Sequence, residues 1–161
     1  MRKWTATILA FGLGTGLLVS ACSAPAAAKL AAGERTIYVA AIEPKGTTNV
    51  EKEPFPAQAL PEGGGYGLKE PDADGNWTVE TYRWLPNEIT VVQGDRVTFE
   101  ILGVNGESHP STIEGYDVSF DVKRGQLTTV TFVADKAGIF RFLCSVHQPS
   151  MTGQLVVLPA S

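Results

Sequence analysis

The chain has 161 residues, 43% of them hydrophobic and 19% charged, and a formal net charge of −4. That length suits one domain with a real core, and the acidic balance argues against nucleic acid as a partner. Thirteen Lys and Arg stand against 17 Asp and Glu, and two of the thirteen, Arg2 and Lys3, sit at the very start of the chain. A basic protein partner would suit such a surface, although solubility alone accounts for it.

Residues 1–21 read as a signal peptide of the lipoprotein kind. Arg2 and Lys3 make a basic start, and an apolar stretch over residues 8–19 follows. It is too short and Gly-rich for a membrane span of about 20 residues. It ends in Val19-Ser20-Ala21-Cys22, small residues ahead of a cysteine. This resembles the lipobox of bacterial lipoproteins, in which Cys22 would become the acylated N-terminus. Ordinary secretory cleavage at small residues is the alternative. Acylation would tether the protein to a membrane surface without threading it through. The expected location is extracytoplasmic, periplasmic or at the cell surface. Residues 22–34 are small and repetitive and suit a flexible tether. Residues 35–161 are expected to form the folded domain.

Residues 36–42 are rich in Ile, Tyr and Val and predict a first strand. Residues 43–76 differ: Pro44, Pro54, Pro56, Pro61 and Pro71 alternate with Gly46, Gly63, Gly64, Gly65, Gly67 and Gly75. No sustained helix or strand fits this composition, so the stretch is expected to be a surface excursion or a lid. Asp72-Ala-Asp74-Gly75-Asn76 has the look of a calcium loop, but its glycine is misplaced and Arg83 stands where the closing Glu belongs. It reads as a turn.

From Trp77 onward the signals are strand and turn. Strands are predicted over 77–84, 89–92, 96–102, 118–122, 127–133, 139–144 and 153–158, with Pro86-Asn87 and Gly94-Asp95 among the turns. Val97, Phe99 and Ile101 alternate with polar Thr98 and Glu100. Short strands at this spacing predict an all-β sandwich or barrel. Trp77, Tyr82, Trp84, Tyr116 and Phe120 are expected in the core or at its rim.

The chemistry concentrates in Cys144-Ser-Val-His147-Gln-Pro-Ser-Met151, which puts a thiol, an imidazole and a thioether on one loop. The chain has only two Cys, two His and two Met. Met1 is the initiator and Cys22 is assigned above, so Cys144, His147, Met151 and the distant His109 remain. A lone thiol in an oxidising compartment is a liability unless buried or metal-bound. Thiolate and thioether favour reduced copper, whereas imidazole serves both oxidation states. Two His, one Cys and a weak axial Met make a trigonal electron-transfer site. Cys144 would bind as thiolate, His109 and His147 as neutral imidazoles, and Met151 as the long axial contact. Each imidazole's other nitrogen needs a hydrogen-bond partner or solvent. Zinc also takes Cys and His, but a thioether ligand argues against it.

Phe140, Phe142 and Cys144 share one face of a strand, because side chains alternate with period two. The chain turns at Gln148-Pro149 and brings His147 and Met151 round the same point. His109 must come from another strand, so metal binding should stabilise the folded state.

The stretch from Trp77 to Leu158 resembles a cupredoxin, the blue-copper β-sandwich. The Cys144-x2-His147-x3-Met151 loop followed by Gly153 is similar to the ligand loops of plastocyanin-like and amicyanin-like proteins. The scaffold around it looks closer to the copper domains of cytochrome oxidase subunit II and nitrous oxide reductase. Ser108-His109, residues 114–122 and residues 132–140 carry that likeness. Those relatives use a second Cys four residues beyond the first to hold two coppers. Here that position is Gln148, which leaves a single copper ion. The resemblance implies an all-β Greek-key β-sandwich with the metal near the surface, and His147, flanked by Val146 and Pro149, as the electron's way out.

The expectation is therefore a membrane-tethered, extracytoplasmic protein, monomeric and not an enzyme, that carries single electrons between redox partner proteins. A copper-trafficking protein that delivers the ion to an oxidase or reductase is one alternative. A copper enzyme or small-molecule sensor with an open position is another.

Overall fold

The computed structural model describes residues 30–161. The signal peptide expected over 1–21, Cys22 and most of the tether expected over 22–34 lie outside the described residues. Twelve strands follow in order: β1 (Glu34–Ile42), β2 (Lys45–Asn49), β3 (Tyr66–Lys69), β4 (Asn76–Thr81), β5 (Arg83–Leu85), β6 (Glu88–Val92), β7 (Arg96–Gly103), β8 (Ser108–Ile113), β9 (Val118–Lys123), β10 (Leu127–Val133), β11 (Gly138–Cys144) and β12 (Thr152–Leu158).

They form two large sheets and a small one. One large sheet has the order β10-β7-β1-β5, the other β6-β12-β11-β8-β9. β1 runs parallel to β7, and β12 parallel to β6; the remaining pairs in these sheets are antiparallel. Strands adjacent in space but distant in sequence give the Greek-key character of an all-β sandwich. Period-two alternation puts Val97, Phe99 and Ile101 of β7 into the core while Thr98, Glu100 and Leu102 face away. Phe99 of one sheet meets Phe142 of the other, ring centroids 5.9 Å apart. Trp84, Ile113, Val122 and Leu155 complete this buried layer. Each such side chain contributes about 1.5–3 kcal/mol on burial.

The two ends of the sandwich differ in what they bury. At the start of β7, Asp95 is fully buried and accepts from the amides of Val92 and Gly33, both at 2.7 Å, and from Arg35. At the opposite end, past Gly103, the chain turns through Asn105 and Gly106 into β8. His109, Ser111 and Ile113 are the inward residues of that strand.

Residues 43–76, where no sustained strand is expected, do carry short ones. β2, β4 and β3 form a three-stranded antiparallel sheet, with Thr47 opposite Thr78 and Leu68 opposite Val79. Glycine misled because it breaks strands on average, yet here it serves one. At Gly67 a Cβ would lie 2.7 Å from Glu80 Cγ, so the bare backbone makes room for a cross-strand side chain. The Asp72–Asn76 segment is a turn, as expected: Asp72 Oδ1 accepts from the amides of Asp74 and Asn76. Trp77 is buried, edge-on to Phe55 of the excursion, while Trp84 lies in the main core and Tyr82, Tyr116 and Phe120 pack partly buried against it.

Candidate metal centre

Inward alternation on β11 buries Phe142 and then Cys144 at the strand's end. The chain leaves β11, turns and returns as β12 with Leu143 opposite Thr152. Two backbone bonds close the loop: the Cys144 amide donates to the Met151 carbonyl at 3.0 Å, and the Met151 amide to the His147 carbonyl at 2.9 Å. Gln148 braces the interior. Its Nε2 donates to the Cys144 carbonyl at 2.6 Å, and its Oε1 accepts from the Thr152 hydroxyl at 2.8 Å. The position where the resemblance would set a second cysteine is thus occupied by a structural amide.

β8 lies beside β11 with Ser111 opposite Cys144. That register carries His109 to the same end of the sandwich. His109 Nδ1 lies 3.2 Å from His147 Nδ1, and Cys144 Sγ lies 3.3 Å from the same atom. One donor atom from each of His109, Cys144 and His147 falls within 4.8 Å of the others. His109, Cys144 and Met151 are fully buried, and His147 is half-buried. The structure therefore brings the two imidazoles and the thiol together. It buries Met151 in the core on the same closed loop.

The electrostatics suit a cation. His109 Nε2 donates to the Asn105 carbonyl at 3.0 Å, which fixes the tautomer and leaves the Nδ1 lone pair facing the other two groups. Burial, and after it the neighbouring His109, hold His147 below the ordinary imidazole range, which favours its neutral, metal-binding form. Burial pushes the Cys144 thiol up. The amides of Val146 and His147 offset that in part and are placed to favour a thiolate, while the Ser111 hydroxyl donates to the His109 carbonyl at 2.8 Å. Two imidazoles and a thiol aimed at one point form a donor set that suits a soft or borderline metal ion.

Several contributors escaped sequence reasoning. Asn105 and Gly106 form an Asn-Gly turn, legible as a turn but not as the support of an imidazole. Gly106 has φ +81°, and a Cβ there would lie 2.7 Å from His109 Cε1. Tyr82 stacks on His147, ring centroids 3.7 Å apart and 13° from parallel. Burial and the nearby Glu43 carboxylate push its phenol up to about 12. Gly65 of the excursion donates to the Gln148 carbonyl and accepts from the Ser150 hydroxyl, so the excursion does lie on the ligand loop.

Comparison with known proteins agrees with this architecture. The cupredoxin-like domain family matches residues 67–157. Nitrous-oxide reductase of Stutzerimonas stutzeri is 36% identical over 81 residues, which cover 45% of this chain and 12% of that protein. The chain thus spans a small part of the curated relative it matches. Among solved structures, the copper nitrite reductase of Nitrosomonas europaea superposes with a TM-score of 0.52 at 17% identity, covering 78% of this chain and 42% of that one. A multicopper oxidase, mgLAC, gives 0.51 at 16% identity, covering 80% and 40%. At such identities the structural likeness shows the fold alone.

Proposed function

We propose that this chain, which belongs to the cupredoxin-like domain family, holds one copper ion and carries single electrons between redox partner proteins. The observation that carries the reading is the convergence of His109, Cys144 and His147, with their donor atoms within 4.8 Å of one another. His109 and His147 would hold the ion through Nδ1 and Cys144 through Sγ, with Met151 as the fourth candidate donor. Copper bound there supplies a one-electron couple. The residues supply rigidity. β8 and β11 are hydrogen-bonded neighbours, Gln148 braces the loop, and Asn105 fixes His109, so the donors have little freedom to rearrange when charge changes.

Val146 and Pro149 are exposed beside His147 and suit a small, weak contact of the kind transient redox partners make. No bond chemistry on a substrate is part of this reading. We place the protein outside the cytoplasm, anchored through an acylated Cys22 and working as a monomer. The spacing of residues 19–22 motivates the anchor, and metabolic labelling with a radioactive fatty acid tests it: label that survives Cys22→Ser rules it out.

The test of the copper reading is direct. Cu(II) added to the purified protein should produce an intense visible sulfur-to-copper band, and Cys144→Ser should abolish it. A colourless stoichiometric complex that hands its copper quickly to a chelator would favour delivery of the ion over electron transfer.

A further inference from the structure

We infer that Tyr82 is a positioning residue of the metal centre. Held by the excursion, its ring fixes the plane of the His147 imidazole and covers the face that imidazole would otherwise turn to solvent. The inference rests on reading the site as a copper centre.

His147 needs such a support. It sits between exposed Val146 and half-buried Gln148, on a loop whose other flank is exposed Pro149. On one side its ring meets Cys144 Sγ and the His109 imidazole. On the other, Tyr82 lies flat against it, and its centroid separation of 3.7 Å is shorter than the usual range for aromatic pairs of roughly 4.5–7 Å.

Tyr82 is itself held. Its amide donates to the Gly65 carbonyl at 2.9 Å, and that same carbonyl accepts from the Ser150 hydroxyl. The Gly65 amide donates to the Gln148 carbonyl at 3.0 Å, and Gly64 bridges to Gln148. Glu43 stands beside the phenol. The excursion therefore grips the ligand loop at Gln148 and Ser150 and presents the ring over the residue just before them. Gly65 has to be glycine for this fit, because a Cβ would lie 2.5 Å from the His147 carbonyl oxygen and 2.8 Å from that of Gln148. The chemical effect of this grip is twofold: the imidazole is oriented before any ion arrives, and small anions are denied the His147 face.

The test uses the metal-free and Cu(II)-loaded protein with Tyr82→Phe, Tyr82→Ala and Gly65→Ala. In the metal-free wild type, the His147 ring protons should appear upfield in the NMR spectrum, shifted by the Tyr82 ring current. Tyr82→Phe should keep that shift, and Tyr82→Ala and Gly65→Ala should lose it. Cu(II) affinity, by chelator competition, should fall roughly two- to tenfold in the latter two, as loss of one aromatic stack implies. Azide should perturb their visible spectra at lower concentration. Unshifted His147 protons in the wild type, or a Tyr82→Ala protein that matches the wild type in affinity and azide response, would overturn the inference. A wild type that binds no copper sinks the copper reading, and the ring-current comparison still decides whether Tyr82 fixes His147.

Discussion

Glu43 and Asn105 exchange two hydrogen bonds: the Glu43 amide donates to Asn105 Oδ1 at 2.7 Å, and Asn105 Nδ2 donates to the Glu43 carbonyl at 2.8 Å. The pair locks the turn after β7 to the end of β1. Asn105 then offers its backbone carbonyl to His109, so the tautomer of one donor depends on a turn that the Asn105 side chain holds in place. Asn105→Ala removes both side-chain bonds and leaves polar backbone of Glu43 short of a partner. Stability should fall by about 1–3 kcal/mol in urea unfolding. The backbone carbonyl facing His109 survives the substitution, so copper affinity should fall in chelator competition by less than the roughly 10- to 100-fold that outright loss of such an outer support costs. An unchanged affinity would show that the turn holds His109 without Asn105.

Gly106 offers a sharper perturbation of the same support. Its φ is +81°, and an added Cβ would meet His109 Cε1 at 2.7 Å, Nε2 at 2.8 Å and Tyr82 Cε1 at 3.0 Å. Gly106→Ala combines backbone strain with a clash against both rings. We expect about 1–3 kcal/mol of destabilisation and a weakened, shifted sulfur-to-copper absorption in the loaded protein.

Metal binding should release protons in a countable way. His147 is held below the ordinary imidazole range, and the Cys144 thiol is held above its ordinary range by burial. At pH 7 the metal-free site thus holds a neutral His147 imidazole and a protonated Cys144 thiol. Binding should displace the Cys144 proton, at least one per ion, measured by calorimetry in buffers of different ionisation enthalpy. The same directions set the metal-free protein's pH profile. A depressed His147 adds stability that is present above the ordinary imidazole value of about 6.5 and lost as pH falls through its folded value. A raised Cys144 adds stability that is present below the ordinary thiol value of about 8.5 and lost as pH rises through its folded value.

Asp95 governs the far end of the sandwich. Burial by itself would raise its carboxyl, but the Val92 amide, the Arg35 guanidinium and the Gly33 amide outweigh that and hold it below the usual carboxylate range. Its contribution is therefore present above about pH 3.9 and lost as pH falls through the folded value. Asp95→Asn should cost about 1.5–3 kcal/mol at pH 7. Wild type and variant should converge in stability on acidification, and parallel profiles would show that the charge is not what matters there.

Much of this was legible in the sequence because two kinds of signal are local. Alternation placed β7, β10 and β11 nearly to the residue, since Val97, Phe99 and Ile101 or Phe142 and Cys144 announce a buried face by themselves. The scarcity of Cys, His and Met singled out His109, Cys144 and His147, which the structure brings together. What stayed hidden depends on pairing between distant segments. β8 carries Pro110 and two serines among its six residues and offers no apolar run, so only its register with β9 and β11 makes it a strand. The excursion's strands are built round glycines whose need appears only with Glu80 or Gln148 across from them. Tyr82 looked like any rim aromatic until the loop bearing His147 was folded beneath it.

Cys144, His147 and Met151 hang from the joint between β11 and β12, and His109 hangs from β8, which pairs with β11 through Ser111 and Cys144. Fraying at that joint cannot detach one donor and spare the rest. On the copper reading, dissociation of the ion should be a cooperative event, tied to the opening of a hairpin rather than to the swing of a single ring, with a rate that tracks the local unzipping seen by amide exchange at Cys144 and Met151.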